Sequence, residues 1–235
     1  MPYDYLDRNA DAVRKSIRDA CTAVGRDPDR VLLTAAIKSA EVDEILYLHE
    51  KHGISVVGEN RVQQLLERYE PLHNAGLTFH FIGTLQTNKV KYIIDKVDMI
   101  QSLDSEKLAR EIEKQAAKID RTVDVLIEIN SGHEESKSGI APEAAADFAR
   151  RVTSGEFPHL RLRGFMTMAP RSTDEEYHSY FGDTRTLCED IWRTLPTGDD
   201  DMVLSMGMSE SYAVAAAEGA TLVRVGRTLF AKVLP

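Results

Sequence analysis

Val31-Leu32-Leu33-Thr34-Ala35-Ala36-Ile37-Lys38 is a β-branched and aliphatic run that ends on a single charge. Its length and composition predict a strand buried on both faces, as in a parallel sheet covered by helices. The lysine then stands at the strand's carboxyl end, where barrels and open α/β sheets carry their chemistry. An ammonium whose stem is enclosed by apolar groups is costly to keep charged, so Lys38 is a candidate covalent amine. The structural alternative is a lysine that sends its head to water from a strand end.

Similar short runs recur along the chain: Ile54 to Val57, Thr78 to Ile82, Asp98 to Gln101, Val123 to Ile129, Leu160 to Met166, Met202 to Ser205 and Leu222 to Val225. With the first they make about eight, the barrel number. Between them lie stretches with three-to-four apolar spacing, such as Val62-Leu65-Leu66-Tyr69 and Leu108-Ile112-Ala116-Ile119, so a crossover helix is expected after each strand. Leu6, Val13, Ile17, Ala20, Cys21 and Val24, followed by Gly25, predict a further helix before the first strand. Pro142 marks a helix start, and Ser172-Thr173-Asp174-Glu175 caps a longer helix carrying Tyr177, Leu187, Ile191 and Trp192. The expected fold is α/β: a single (β/α)8 TIM-type barrel with an extra N-terminal helix, one domain over residues 1–235. The length is close to the ~250 residues typical of that architecture. Without repeats or a flexible linker, no second domain is called for.

The balance of 29 basic against 38 acidic residues, net −9, argues against nucleic acid or an anionic membrane as partner. The start, Met1-Pro2-Tyr3-Asp4-Tyr5, has no basic segment followed by an apolar one, and no apolar run approaches a membrane span, so a cytoplasmic location is expected. Cys21 and Cys188, far apart in helical settings, read as buried free thiols, and no cluster with metal-ligand spacing is seen. The irregular segments 131–140 and 168–201 both come after strands, where functional loops of a barrel belong.

The residues at the end of each run are small or polar: Lys38, Gly58-Glu59-Asn60, Gly83-Thr84, Ser102, Asn130, Met166-Thr167, Ser205-Met206-Gly207-Met208-Ser209 and Arg224-Val225-Gly226. In a parallel barrel these surround one mouth. Ser205 to Ser209 leads into a helix-like run, Glu210 to Glu218, whose amino end offers backbone N–H groups and the Ser209 hydroxyl to an anion. Val225-Gly226-Arg227-Thr228 gives a second glycine turn, and barrels often hold phosphate after strands seven and eight. An amine on one side of a mouth and a phosphate cradle on the other describe pyridoxal 5′-phosphate, an aldehyde carrying a phosphate, and also fit a Schiff-base aldolase acting on sugar phosphates.

Six segments carry a resemblance: Ala35 to Lys38, Val57 to Gln63, His80 to Lys89, Gly164 to Met168, Leu204 to Ser209 and Val223 to Arg227. Over nearly its whole length the chain resembles the YggS/PROSC family of pyridoxal phosphate homeostasis proteins, related in fold to the barrel of alanine racemase. The resemblance implies that Lys38 holds the cofactor as a Schiff base, that Ser209, Gly226 and neighbouring backbone bind its phosphate, and that Arg224 faces the pyridine nitrogen. Asn60 and His80 would line the same pocket, and Ser205, Gly207 and Arg227 complete the expected cofactor-binding set. Ile37 stands where the family often has serine or threonine, and Ser211 where it usually has aspartate.

An arginine facing the ring nitrogen disfavours its protonation, and an unprotonated ring is a poor electron sink. Racemases of this fold tolerate that arginine, yet they use two bases, a lysine and a tyrosine, the latter supplied with a further β domain. The chain ends at Pro235, about ten residues after the last strand-like run. The expectation is therefore a binding protein in vitamin B6 homeostasis that buffers or delivers the cofactor, not an enzyme, with dependent apoenzymes as partners and a monomeric state. The alternative is a racemase using Lys38 with a tyrosine such as Tyr212, a residue that also suits packing. His80 reads as a packed residue or a general acid, and His133-Glu134-Glu135-Ser136-Lys137 as a solvated loop or a cover over the mouth. Lys89 reads as a helix-surface group or one used in cofactor traffic, and Met166 and Met168 as packing around the pocket.

Overall fold

A strand that is apolar on both faces needs a neighbour on each edge and cover on each side, which a parallel sheet closed on itself and ringed by helices provides. The computed structural model describes residues 3–131, 138–197 and 201–232. In it β1 (Leu32–Ala36), β2 (Val56–Glu59), β3 (Thr78–Phe81), β4 (Met99–Leu103), β5 (Val123–Ile129), β6 (Leu160–Thr167), β7 (Val203–Ser205) and β8 (Leu222–Val225) close into one barrel in chain order. All neighbours are parallel, and the seam pairs Thr34 with Arg224 and Ala35 with Val225. The (β/α)8 expectation is met.

Alternate residues of each strand face opposite ways. Ala35, Val57, Phe79, Phe81, Ile100, Val125, Ile127, Ile129, Phe165, Leu204, Val223 and Val225 belong to the large core that also contains the buried helix residues. The intervening residues fill the barrel itself. Met99, Leu126 and Met166 form a separate small apolar plug. Thr34, His80, Gln101, Glu128, Ser205 and Arg224 occupy the same interior as buried polar groups.

Around the barrel run α1 (Asp4–Ala23), α2 (Val42–His52), α3 (Val62–Asn74), α4 (Glu106–Ala117), α5 (Pro142–Thr153), α6 (Asp174–Trp192), α7 (Tyr212–Ala217) and α8 (Arg227–Phe230). Pro142 is in the first turn of α5, and the cap expected within Ser172 to Glu175 is Thr173, in a reciprocal box with Glu176 just beyond that stretch. One crossover departs from expectation. Between β3 and β4 the chain makes a 3-10 segment, Thr87–Tyr92, in which Val90 is the buried residue, too little apolar surface to seat an α-helix. Lys89 is exposed there, and its Nζ and that of Lys91 lie 5.8 and 4.9 Å from the Tyr92 ring centroid.

The extra helix α1 covers the barrel after the last strand, where α8 has only four residues. It buries Leu6, Ala10, Val13, Ile17 and Cys21 along one stripe and packs on α7 and α8. Asn9, buried, donates from Nδ2 to the carbonyl oxygens of Leu229 at 3.0 Å and Ala231 at 2.8 Å, closing the end of α8. Cys21 and Cys188 are buried free thiols, and burial pushes the Cys188 thiol up to about 12. Among the described residues no helix is long and apolar enough to cross a membrane.

Candidate functional site

A cavity of about 380 Å³ opens at the carboxyl ends of the strands, within the size range of small-molecule sites. Lys38, Asn60, Met168, Arg171, Tyr177, Ser209, Glu210, Arg224, Gly226 and Arg227 are among its lining residues. Lys38 comes just after β1 and is exposed at the rim. The sequence pointed to an amine enclosed by apolar groups. The structure corrects this: Ile37 takes the buried direction, and the adjacent side chain is turned to the cavity and water. Lys38 is therefore accessible to a ligand without being desolvated by the protein alone.

Opposite it, the two glycine turns meet. The Ser209 hydroxyl accepts from the backbone N–H of Gly226 at 3.3 Å and of Thr228 at 3.4 Å, and Thr228 Oγ1 donates to the Ser209 carbonyl at 3.2 Å. Both amide contacts are long, so a stronger acceptor outcompetes a hydroxyl for them. A Cβ on Gly226 would stand 2.7 Å from the Ala36 carbonyl oxygen, so glycine is required for the turn to lie against β1. Gly207, at φ +88°, is kept free of a side chain by Ala215 Cβ at 2.5 Å from the position a Cβ would take. The helix expected from Glu210 starts at Tyr212, because Ser211 spends its backbone N–H on the Met208 carbonyl and its hydroxyl on the Met208 N–H. The candidate anion cradle is thus the turn after β8 with the Ser209 side chain, not the amino end of α7.

Arg224 projects inward from β8, and its guanidinium donates to Ser205 Oγ and, at 2.8 Å, to the Thr167 carbonyl. Ser205 donates to Gln101 Oε1 at 2.7 Å, and the Gln101 amide nitrogen meets His80 Nδ1 at 2.9 Å. The chain of bonds runs one way, from a cation through two neutral groups to an imidazole that accepts. Burial holds His80 down to about 4, so it is neutral and its Nδ1 keeps a lone pair for Gln101. Burial also draws Arg224 down to about 10, with Glu128 acting in the opposite direction, and it stays a cation at neutral pH. Of the residues singled out in the sequence, Lys38, Asn60, Ser209, Arg224, Gly226 and Arg227 line the cavity. The structure places His80, Ser205 and Gly207 beside or beneath it, and Tyr212 packs on the core at the start of α7.

Glu59 orders the opposite rim. Its carboxylate accepts from the backbone N–H of Asn60 at 2.7 Å and of Arg61 at 3.2 Å, and from Arg68 at 3.1 Å. Arg68 also donates to the Ile37 carbonyl at 2.7 Å, fixing the backbone just before Lys38. Burial raises the Glu59 carboxyl above its usual range against the pull of these donors. Gln101, Glu128, Arg68, Arg171 and Glu210 were not among the site residues that the sequence singled out. A polar residue inside an apolar run was the available signal for Gln101 and Glu128. The segment His133 to Lys137 lies outside the described residues.

The model of the alanine racemase N-terminal domain matches residues 9–232. A protein of Aquifex aeolicus named pyridoxal phosphate homeostasis protein is 41% identical over 219 residues, 93% of this chain and 94% of that one. The chain belongs to this family. Among solved structures, a Bifidobacterium adolescentis protein described as unknown shares the family fold with a TM-score of 0.87 and 32% identity, covering 96% of this chain and 94% of that one. PipY of Synechococcus elongatus, solved with PLP bound, aligns with a TM-score of 0.76 and 28% identity over 91% of this chain and 99% of that one.

Proposed function

We propose that this family member binds pyridoxal 5′-phosphate through Lys38, the cradle of Ser209, Gly226 and Thr228, and Arg224, and that it buffers or hands over the cofactor in the cytosol. The observation that carries this is the convergence of an exposed primary amine, two long-bonded backbone amides and a buried guanidinium in one cavity. The names of the relatives and the PLP-bound PipY structure support it. A bound pyridoxal 5′-phosphate supplies an aldehyde that condenses with a primary amine. Lys38 contributes that amine at the rim, open to exchange with other amines and with water.

The Ser209 hydroxyl and the amides of Gly226 and Thr228 receive the phosphate. Arg224, clamped by Ser205 and Thr167, presents a permanent positive charge to the ring side of the cavity, which opposes protonation there. That disfavours stabilising a carbanion, and with Lys38 open to exchange at the rim it supports a carrier role over racemisation. The handover partners in this reading are apoenzymes that require the cofactor, met by a monomeric protein.

Purified protein incubated with pyridoxal 5′-phosphate, reduced with borohydride and digested, is expected to carry the pyridoxyl mass on Lys38, and Lys38→Ala to lack it. An adduct on another lysine, or none, overturns the assignment. Sustained interconversion of a pure D- or L-amino acid by the loaded protein would overturn the preference for a carrier.

A further inference from the structure

At the lip of the cavity two guanidinium groups from separate segments converge on one carboxylate. Arg227 Nη2 lies 2.8 Å from Glu210 Oε1, and Arg171 Nε lies 3.5 Å from Glu210 Oε2. Arg171 comes from the segment between β6 and α6, Arg227 from the first residue of α8, and Glu210 from the turn after β7. All three line the same cavity as Lys38. Their chain positions tie them to the cradle: Glu210 directly adjoins Ser209, and Arg227 sits between Gly226 and Thr228, whose N–H groups Ser209 covers.

We infer that Glu210 is a built-in competitor for the phosphate of the bound vitamer: it occupies the two arginines that would otherwise strengthen the hold on that dianion. This rests on the proposed binding of the cofactor and extends it to how tightly the cofactor is kept. The side chains of Arg171, Glu210 and Arg227 are 80, 45 and 66% exposed, so the pairs exchange readily with solvent and each is weak. A carboxylate carries one charge, whereas a phosphate ester near neutral pH carries close to two and presents three acceptor oxygens. The balance is therefore close enough for one side chain to set it. With Glu210 in place, one of the two positive charges of the lip is offset and both guanidinium groups are engaged, so the phosphate is held chiefly by the cradle. With Glu210 neutralised, two cations of the lip turn to the phosphate. The device favours a protein that gives its cofactor up.

The test compares pyridoxal 5′-phosphate with pyridoxal, which has the aldehyde but no phosphate, on the parent protein and Glu210→Gln, by monitoring release of each vitamer from loaded protein by absorbance after dilution. Glu210→Gln is expected to release pyridoxal 5′-phosphate about threefold to tenfold more slowly than the parent, the scale of a few exposed charge contacts. The gain should be confined to the phosphorylated vitamer, shrink in ~1 M salt, where screening acts within ~3 Å, fall in Glu210→Gln/Arg227→Gln, and vanish when Arg171→Gln is added. Equal release from parent and Glu210→Gln, or an equal change for pyridoxal, overturns the inference while leaving the proposed cofactor binding intact. A parent protein that takes up neither vitamer overturns the proposed binding and this inference with it.

Discussion

The imidazole of His80 is the residue on which the barrel's interior polarity turns. It lies beneath the cavity as the terminal acceptor of a hydrogen-bonded chain that starts at Arg224, and that duty requires it neutral. Its folded value of about 4 lies below the ordinary 6.5, so between these the unfolded chain binds more protons than the native one. Stability attributable to this group is complete above pH 6.5 and is lost as pH falls from about 6.5 to about 4. The loss amounts to about 3 kcal/mol, at ~1.4 kcal/mol per unit. Glu59 and Glu128, both raised by burial, act with the opposite sign, their contribution being lost as pH rises through their folded values. Urea unfolding of the parent and His80→Gln across this range is expected to show the parent steeper by that amount. Parallel profiles would mean that the imidazole is not held neutral by the fold.

Among the elements, the contact between β8 and β1 does most to place the site. Thr34 pairs with Arg224 across it, so the strand that ends near Lys38 and the strand that carries the guanidinium are adjacent, and Gly226 turns away immediately beyond. The Ala36 carbonyl, 2.7 Å from where a Cβ on Gly226 would lie, makes this turn intolerant of any side chain. Gly226→Ala is expected to shift the turn, separate the Gly226 and Thr228 amides from Ser209, and lower stability by about 1–3 kcal/mol, as overpacking does. Pyridoxal 5′-phosphate uptake should fall more than pyridoxal uptake, read by equilibrium dialysis of the two. An unaltered ratio would show that these amides do not receive the phosphate.

For the whole molecule, the ring of helices is completed by the first element of the chain. The four residues of α8 leave most of the seam behind β8 and β1 to α1, and Asn9 joins the two by donating to the Leu229 and Ala231 carbonyls. Asn9→Leu keeps the size of the side chain and removes both bonds, leaving the buried Leu229 carbonyl and the half-buried Ala231 carbonyl without this donor at a cost of about 1–3 kcal/mol. A lower urea midpoint with an unchanged slope is the expected result. No change in midpoint would place α1 outside the cooperative structure.

Eight short apolar runs, the amine after the first, the glycine turns after the last two and the helix caps at Pro142 and Thr173 were all legible in the sequence, because each depends on neighbours within a few residues. Which residues of each run face inward was settled only by the closed barrel. A strand buried on both sides has no hydropathy alternation to read, so the sequence does not separate His80 and Ser205, which lie beneath the pocket, from residues that line it, nor mark Gln101 and Glu128 as inward; closure sets the facing of every residue. The exposure of Lys38 and the meeting of Arg171, Glu210 and Arg227 were decided the same way. Loops far apart in the chain share a lip only because parallel strands bring all their carboxyl ends to one side, and no local pattern records which side chains then touch.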